Sequence, residues 1–337
     1  MTLPSPMEAA TLESELEQLL PDPVLSECEF PLRQTLYPLG FPLELSTNST
    51  EVMAAAVEMW GSFAQTFQEG PMRFSLGVTP GEGTRLPARS LFRSREHLMS
   101  MFAGASNFVI SDFNQHFAFG WVTQSIAADH AVLCYRFLAP AVLTLAEQMA
   151  LAPIHGALIA RNGRGVLLCG DSHSGKSTLS YACARAGWTF ACDDAASLVR
   201  QHSSRYALGN PSSIRFREDA RRLFPELADR QPAMLPIAKL GFEVFTRELP
   251  IATALGCVVE HIVFLNRGEP GPTCLRPYPK DQALAWFERS VCFGASEVRA
   301  AQLRSYRRLV DAGIWELCYR DFDDAIGRLE QLLEAGC

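Results

Sequence analysis

The run "GVLLCGDSHSGKSTLSYACARAG", residues 165–187, restricts the fold more than any other part of the chain. It opens with an apolar run that reads as a strand. It closes with a helical pattern that Gly187 ends. Between them Gly170, Gly175, Lys176 and Ser177 keep the spacing of a phosphate-cradling loop. Glycines let backbone N–H groups turn inward and approach anionic oxygens. The helix that follows aims its positive end at the same point. Lys176 adds a full charge for phosphate, and the Ser177 hydroxyl suits Mg²⁺. The candidate phosphate-binding residues are therefore Gly170, Asp171, Ser172, His173, Ser174, Gly175, Lys176, Ser177 and Thr178. Strand, loop and helix in this order predict an α/β nucleotide-binding domain.

Two neighbouring features bear on the same point. Asn162-Gly163 between apolar runs predicts a two-residue hairpin turn. Counting back from an Arg161–Arg164 pair puts His155 opposite Gly170, at the mouth of the loop. After the helix, the apolar run "WTFAC" leads into Asp193 and Asp194. Adjacent residues of a strand point to opposite faces, but at a strand end both carboxylates can reach one site. One can hold Mg²⁺ while the other accepts a proton from an attacking hydroxyl.

The 337 residues allow one large domain or two of ordinary size. A net charge of −7 argues against a nucleic-acid partner. The ten cysteines are scattered with no C-x-x-C, which reads as reduced thiols of a cytoplasmic protein. No signal peptide is visible, and the apolar stretch 138–160 is broken by Glu147, Gln148 and His155, so no membrane association is expected. Residues 1–30 form an acidic, flexible segment in which Ser14 and Glu17 could cap a short helix. Residues 31–150 read as an α+β module: strands at "FPLELST", "MRFSLGV", "NFVISDF" and "HFAFGWV", and helices at "STEVMAAAVEMWGSFAQTF" and "APAVLTLAEQMAL". Arg85, Arg89, Arg93 and Arg95 read as a solvated loop. Residues 151–337 hold the loop, further strands at "ASLVR", "RYALG", "IRFR", "KLGFEVF", "EHIVFLN" and "IWELCYRD", and three more helices. Alternation in "IRFR" sets Arg215 and Arg217 on one face, opposite Ile214 and Phe216, as surface arginines.

The combination of "IHG", "GVLLCGDSHSGKST" and "CDD" resembles the catalytic domain of HPr kinase/phosphorylase, whose nucleotide fold is shared with phosphoenolpyruvate carboxykinase. The resemblance covers about Pro153 to Arg200. It implies binding of ATP and Mg²⁺, with Ser177 and Asp194 on the metal, Asp193 as general base, and His155 and Lys176 beside the transferring phosphate. Ile214-Arg215 stands where that family has a Glu-Ile-Arg-Gly segment, which would bring Arg215 to the phosphate. The implied activity is phosphorylation of a Ser/Thr hydroxyl on a protein or peptide, by a homo-oligomer. The alternatives are a small-molecule kinase, acting on serine or a sugar, and an ATP-binding regulatory module without transfer.

Overall fold

Among the described residues the first seven strands are β1 (Leu32–Leu36), β2 (Leu43–Thr47), β3 (Met72–Thr79), β4 (Leu91–Arg95), β5 (Leu98–Phe102), β6 (Phe108–Asp112) and β7 (Phe117–Thr123). The computed structural model describes residues 29–79, 90–104, 106–202, 204–234, 240–267, 271–291 and 294–335. The expected acidic segment, including Ser14 and Glu17, lies outside them except for its last two residues, as do Arg85 and Arg89.

The seven strands form one sheet in the order β1-β2-β3-β7-β6-β5-β4, parallel on both sides of β3 and antiparallel elsewhere. Period-2 alternation sends Leu43 and Leu45 of β2, and Met72, Phe74 and Leu76 of β3, into one core. The helices Thr50–Trp60 and Ala139–Met149 contribute Val52, Ala56, Val142 and Leu145 to the same core. Ser49 starts the first helix by accepting the Val52 N–H at 3.3 Å. That helix stops at Trp60, short of the expected run to Phe67. Phe67 instead stacks on Phe41, with centroids 4.3 Å apart. Its apolar spacing serves a tertiary contact rather than helical continuation. Before the second helix, Cys134–Leu138 winds as a π-turn. Pro140 has no N–H to give the carbonyl four residues back, so the tighter ladder is already broken there.

A second sheet begins one residue after this helix. Its strands are β8 (Leu151–Arg161), β9 (Arg164–Cys169), β10 (Thr189–Cys192), β11 (Ala195–Val199) and β12 (Tyr206–Gly209). Then β13 (Ser213–Phe216), β14 (Ala233–Met234) and β15 (Leu240–Phe245) make a small sheet of their own, in the order β13-β15-β14. The strands β16 (Ala252–Thr253), β17 (Gly256–Asn266), β18 (Cys274–Pro277) and β19 (Gly313–Cys318) complete the larger one. Asn162 and Gly163 both have positive φ, 51° and 79°, and join β8 to β9 with Arg161 opposite Arg164 and Gly156 opposite Cys169. The pairings close on themselves: β8–β9–β17–β12–β11–β8.

Helices cover both faces of this sheet. Val166 and Leu168 of β9 pack beneath the helices Lys176–Arg185 and Phe322–Glu334. Leu167 and Cys169 meet Phe287 and Tyr306 from the helices Lys280–Glu288 and Ser296–Leu309. A strand buried on both sides has no polar positions, hence the unbroken apolar run in the sequence. The molecule is thus a mixed α/β fold, with three sheets among the described residues. Leu151, Val199 and Leu208 of the second sheet also pack into the core of the first. Cys134, Cys169, Cys183, Cys192, Cys257 and Cys318 are buried as thiols. No helix among the described residues is long and apolar enough to cross a membrane.

Candidate functional site

Both β9 and β19 run parallel to β17, and β10 points the same way because it and β9 are both antiparallel to β8. The residues just past their carboxyl ends are Gly170, Asp193, Arg267 and Tyr319. The carboxyl edge of parallel strands is where open α/β sheets place ligands. Here that edge carries a hollow formed by the glycine-rich loop, the Asp193–Asp194 turn and β13.

The loop's shape depends on its glycines. Gly170 has φ +143°, and a Cβ there would stand 2.8 Å from Ser174 Oγ. Gly175, at φ +96°, lies against Tyr319, whose hydroxyl would meet a Cβ at 2.6 Å. Neither position admits another residue without movement. His173 also has positive φ, +74°, where an L-residue is strained. The helix starts directly at Lys176, so its first N–H groups face the hollow. The Lys176 ammonium is buried and donates to the carbonyls of Gly170 at 2.8 Å and Asp171 at 3.2 Å. Ser174 Oγ is buried without a hydrogen-bond partner. Of the nine loop residues singled out in the sequence, Ser172, His173, Gly175, Lys176, Ser177 and Thr178 line the hollow, whereas Gly170, Asp171 and Ser174 form the turn behind it.

The two carboxylates differ in their surroundings. They do not end a strand. They interrupt one, because β10 and β11 both run along β8, and the Asp194 carbonyl still accepts the Gly156 N–H at 2.9 Å across the gap. Asp193 is half-buried and accepts the Arg215 backbone N–H at 3.1 Å. Burial pushes its carboxyl up to about 6, and nearby Asp194 pushes the same way. The bonds from Arg215 and from the Ser177 hydroxyl oppose the rise without cancelling it. Asp194 is exposed, with Oδ1 3.2 Å from His155 Nδ1. The His155 ring lies nearly parallel to Trp286, centroids 6.2 Å apart. His155 therefore reaches Asp194 but is not among the residues lining the hollow. No group of three His, Cys, Asp or Glu side chains among the described residues is arranged to hold a metal ion. A Mg²⁺ site needs fewer protein ligands, since that ion keeps several waters.

Arg217 is exposed and Arg215 half-buried, and both line the hollow rather than lying on an unrelated surface. Alternation did set them on one face of β13, but that face closes the site because β13 belongs to the small sheet stacked over the loop helix. Arg267 was not identified from the sequence; it lines the hollow too, and its Cδ lies 3.7 Å from where a Gly175 Cβ would stand. Nothing local marks it, because only the β9–β17 pairing brings it to the loop. Glu243 and Tyr135 were likewise missed. Glu243 sits opposite Arg215 in the β13–β15 pairing, with Oε1 3.4 Å from Arg215 Nε.

A family described as SynChlorMet cassette protein ScmC matches residues 122–215, a window that contains the loop, the aspartate pair and Arg215. No curated protein matches the chain. Among solved structures, the HPr(Ser) kinase/phosphatase from Coxiella burnetii is a distant structural neighbour. The alignment has 14% sequence identity and a TM-score of 0.29, and covers 54% of this chain and 98% of that one.

Proposed function

We propose that this chain is an ATP- and Mg²⁺-dependent phosphotransferase that phosphorylates a Ser or Thr hydroxyl of a protein or peptide. The observation that carries the reading is the meeting of a proton-accepting carboxylate with a cation-lined, glycine-shaped loop. Asp193, held near pKa 6, stands at the mouth of a hollow lined by Lys176, Arg215, Arg217 and Arg267. A base poised near neutrality is matched to deprotonating a hydroxyl. A buried lysine and partly exposed arginines beside helix N–H groups are matched to the charge of phosphate oxygens.

The residues fit the groups assigned to them. Gly170 and Gly175 let the loop close against Ser174 and Tyr319, where a Cβ would collide, and Lys176 is already desolvated. Lys176, the N–H groups at the helix start and Arg267 would hold the donor's phosphates. Ser177 and Asp194 would hold Mg²⁺, which when bound supplies charge neutralisation, and His155 would orient Asp194. Asp193 would take the proton of the acceptor hydroxyl, while the Arg215 N–H fixes its carboxylate. Residues 151–337 would form the transferring domain and 31–150 the module beside it, in a cytoplasmic protein that can form a homo-oligomer.

The test is incubation of the purified chain with γ-labelled ATP, Mg²⁺ and extract of its own cells. Lys176→Ala serves as control. A labelled protein band that the control lacks is the expected result. A labelled metabolite would redirect the assignment to a small-molecule kinase. Mg-ATP binding without any labelled product would leave the regulatory-module alternative standing.

A further inference from the structure

The residue that anchors Arg215 comes from the far side of the chain. Tyr135 sits in the π-turn Cys134–Leu138, which belongs to the core of the first sheet. Its hydroxyl donates to Glu243 Oε2 at 2.5 Å. Glu243 Oε1 accepts the Ser213 hydroxyl at 2.6 Å and lies 3.4 Å from Arg215 Nε. The Arg215 guanidinium lies over the Tyr135 ring, 4.6 Å from its centroid. Glu243 is largely buried, with 17% of its side chain exposed, and its two oxygens meet these three partners. Continuing the chain of contacts, the Arg215 backbone N–H bonds Asp193. One path of direct contacts thus runs from the first sheet to the candidate base.

We propose that Tyr135 is a positioning residue. It clamps Arg215, by ring and through Glu243, so that the guanidinium is held at the hollow before an anionic phosphate ligand enters. This rests on the phosphate-site reading given above. An arginine left loose would lose rotamer freedom on meeting a ligand, whereas one fixed between a carboxylate and an aromatic face loses little. Cation–π contact fits a guanidinium with one open face. Glu243 cannot do this alone, because without the Tyr135 hydroxyl one of its two oxygens loses a bond inside a buried site. The first sheet would then complete the phosphate site rather than merely adjoin it.

A double-mutant cycle in the full-length chain tests this, with Mg-ATP affinity measured by calorimetry. Arg215→Ala is expected to weaken binding about tenfold or more, the usual size for loss of a charged hydrogen-bond donor. Tyr135→Ala should weaken it about three- to tenfold in the wild-type background and by nothing further in the Arg215→Ala background. Tyr135→Phe keeps the fold and the ring, removes the hydroxyl, and should show a smaller loss with the same dependence on Arg215. Losses that add fully, or an unchanged Kd in both Tyr135 variants, would overturn the proposal. A wild type that transfers phosphate while the cycle is additive refutes only the positioning role. A wild type that binds Mg-ATP but labels no acceptor refutes only the transferase reading, because the cycle is read in affinity. A wild type that binds no Mg-ATP refutes both.

Discussion

The first sheet and the loop edge of the second are built to different standards. In the first, all the strand pairings run without a register shift, and Leu43, Met72, Phe74 and Leu76 are fully buried in one core. At the loop edge, β10 bulges against β8, three loop residues hold left-handed backbone, a carboxylate sits near pKa 6, and a serine hydroxyl is buried unpaired. The left-handed backbone of His173, the buried carboxylate and the unpaired hydroxyl each cost stability, whereas Gly170 and Gly175 take positive φ without steric penalty. The first region has such features too, since Ser111 Oγ of β6 is buried without a partner and Leu39, Glu96 and His116 hold positive φ, but the loop edge joins them to a raised carboxylate beside a hollow, as expected where binding sets the geometry.

The contrast can be broken most severely at Asp193. Asp193→Asn keeps size and the bond from Arg215 but removes the proton acceptor. Transfer should fall about 10²–10⁴-fold, with Mg-ATP affinity much less affected. Asp194→Asn should instead raise the Mg²⁺ concentration needed for half-maximal rate. Phosphotransfer measured for both variants across a Mg²⁺ series separates these roles. The opposite pattern would mean the two aspartates have exchanged them.

Phe74→Ala tests the other region. It should cost about 3–5 kcal/mol of stability, the range for emptying a buried aromatic site. Urea denaturation reads that loss, while the Mg-ATP affinity of the folded protein should change less than it does in Tyr135→Ala, because Phe74 touches the site only through the shared core. A matching loss of affinity would show that the two regions are not separable in this way.

The pH dependence should split in sign. Asp193 binds its proton more tightly in the folded chain than an ordinary aspartate does. Its contribution to stability is therefore present below the ordinary aspartate range and is lost as pH rises through about 6. Transfer should move the opposite way, falling at low pH as Asp193 takes up its proton. Thermal denaturation of ligand-free protein should show Asp193→Asn gaining on wild type at pH 7 and not at pH 4. Parallel pH profiles for the two proteins would remove Asp193 as the titrating group.

The smallest effect is expected at His173. Glycine relieves its left-handed backbone and should raise the melting temperature by about 1–2 °C, allowing for glycine's larger unfolded-state entropy. A lower melting temperature would show that side-chain contacts outweigh the strain.

Much of this was legible without coordinates where the signal is local. Asn162-Gly163 fixed a turn, the turn fixed the β8–β9 register, and the glycine spacing marked the loop. The hairpin β4–β5 went unrecognised because all five β4 residues are exposed, which leaves no alternation to read. The helix after Ser49 was read too long because Phe63 and Phe67 keep helical spacing while packing from irregular chain. Arg267 and Tyr135 reach the site through sheet pairing and an aromatic contact over long sequence separations. No periodicity carries that information.

The interrupted strand has a consequence for how this site can vary. Cys192 pairs with Leu158 and Ala195 with His155, so the two aspartates span the gap with no change of register. Exchanging either side chain leaves both flanking ladders intact. Inserting or deleting one residue there would instead shift β11 by one place and turn Ala196 and Leu198 out of the core, exposing Ser197's side of the strand to it. The chemistry at this position is therefore open to substitution, while the length of the segment is not.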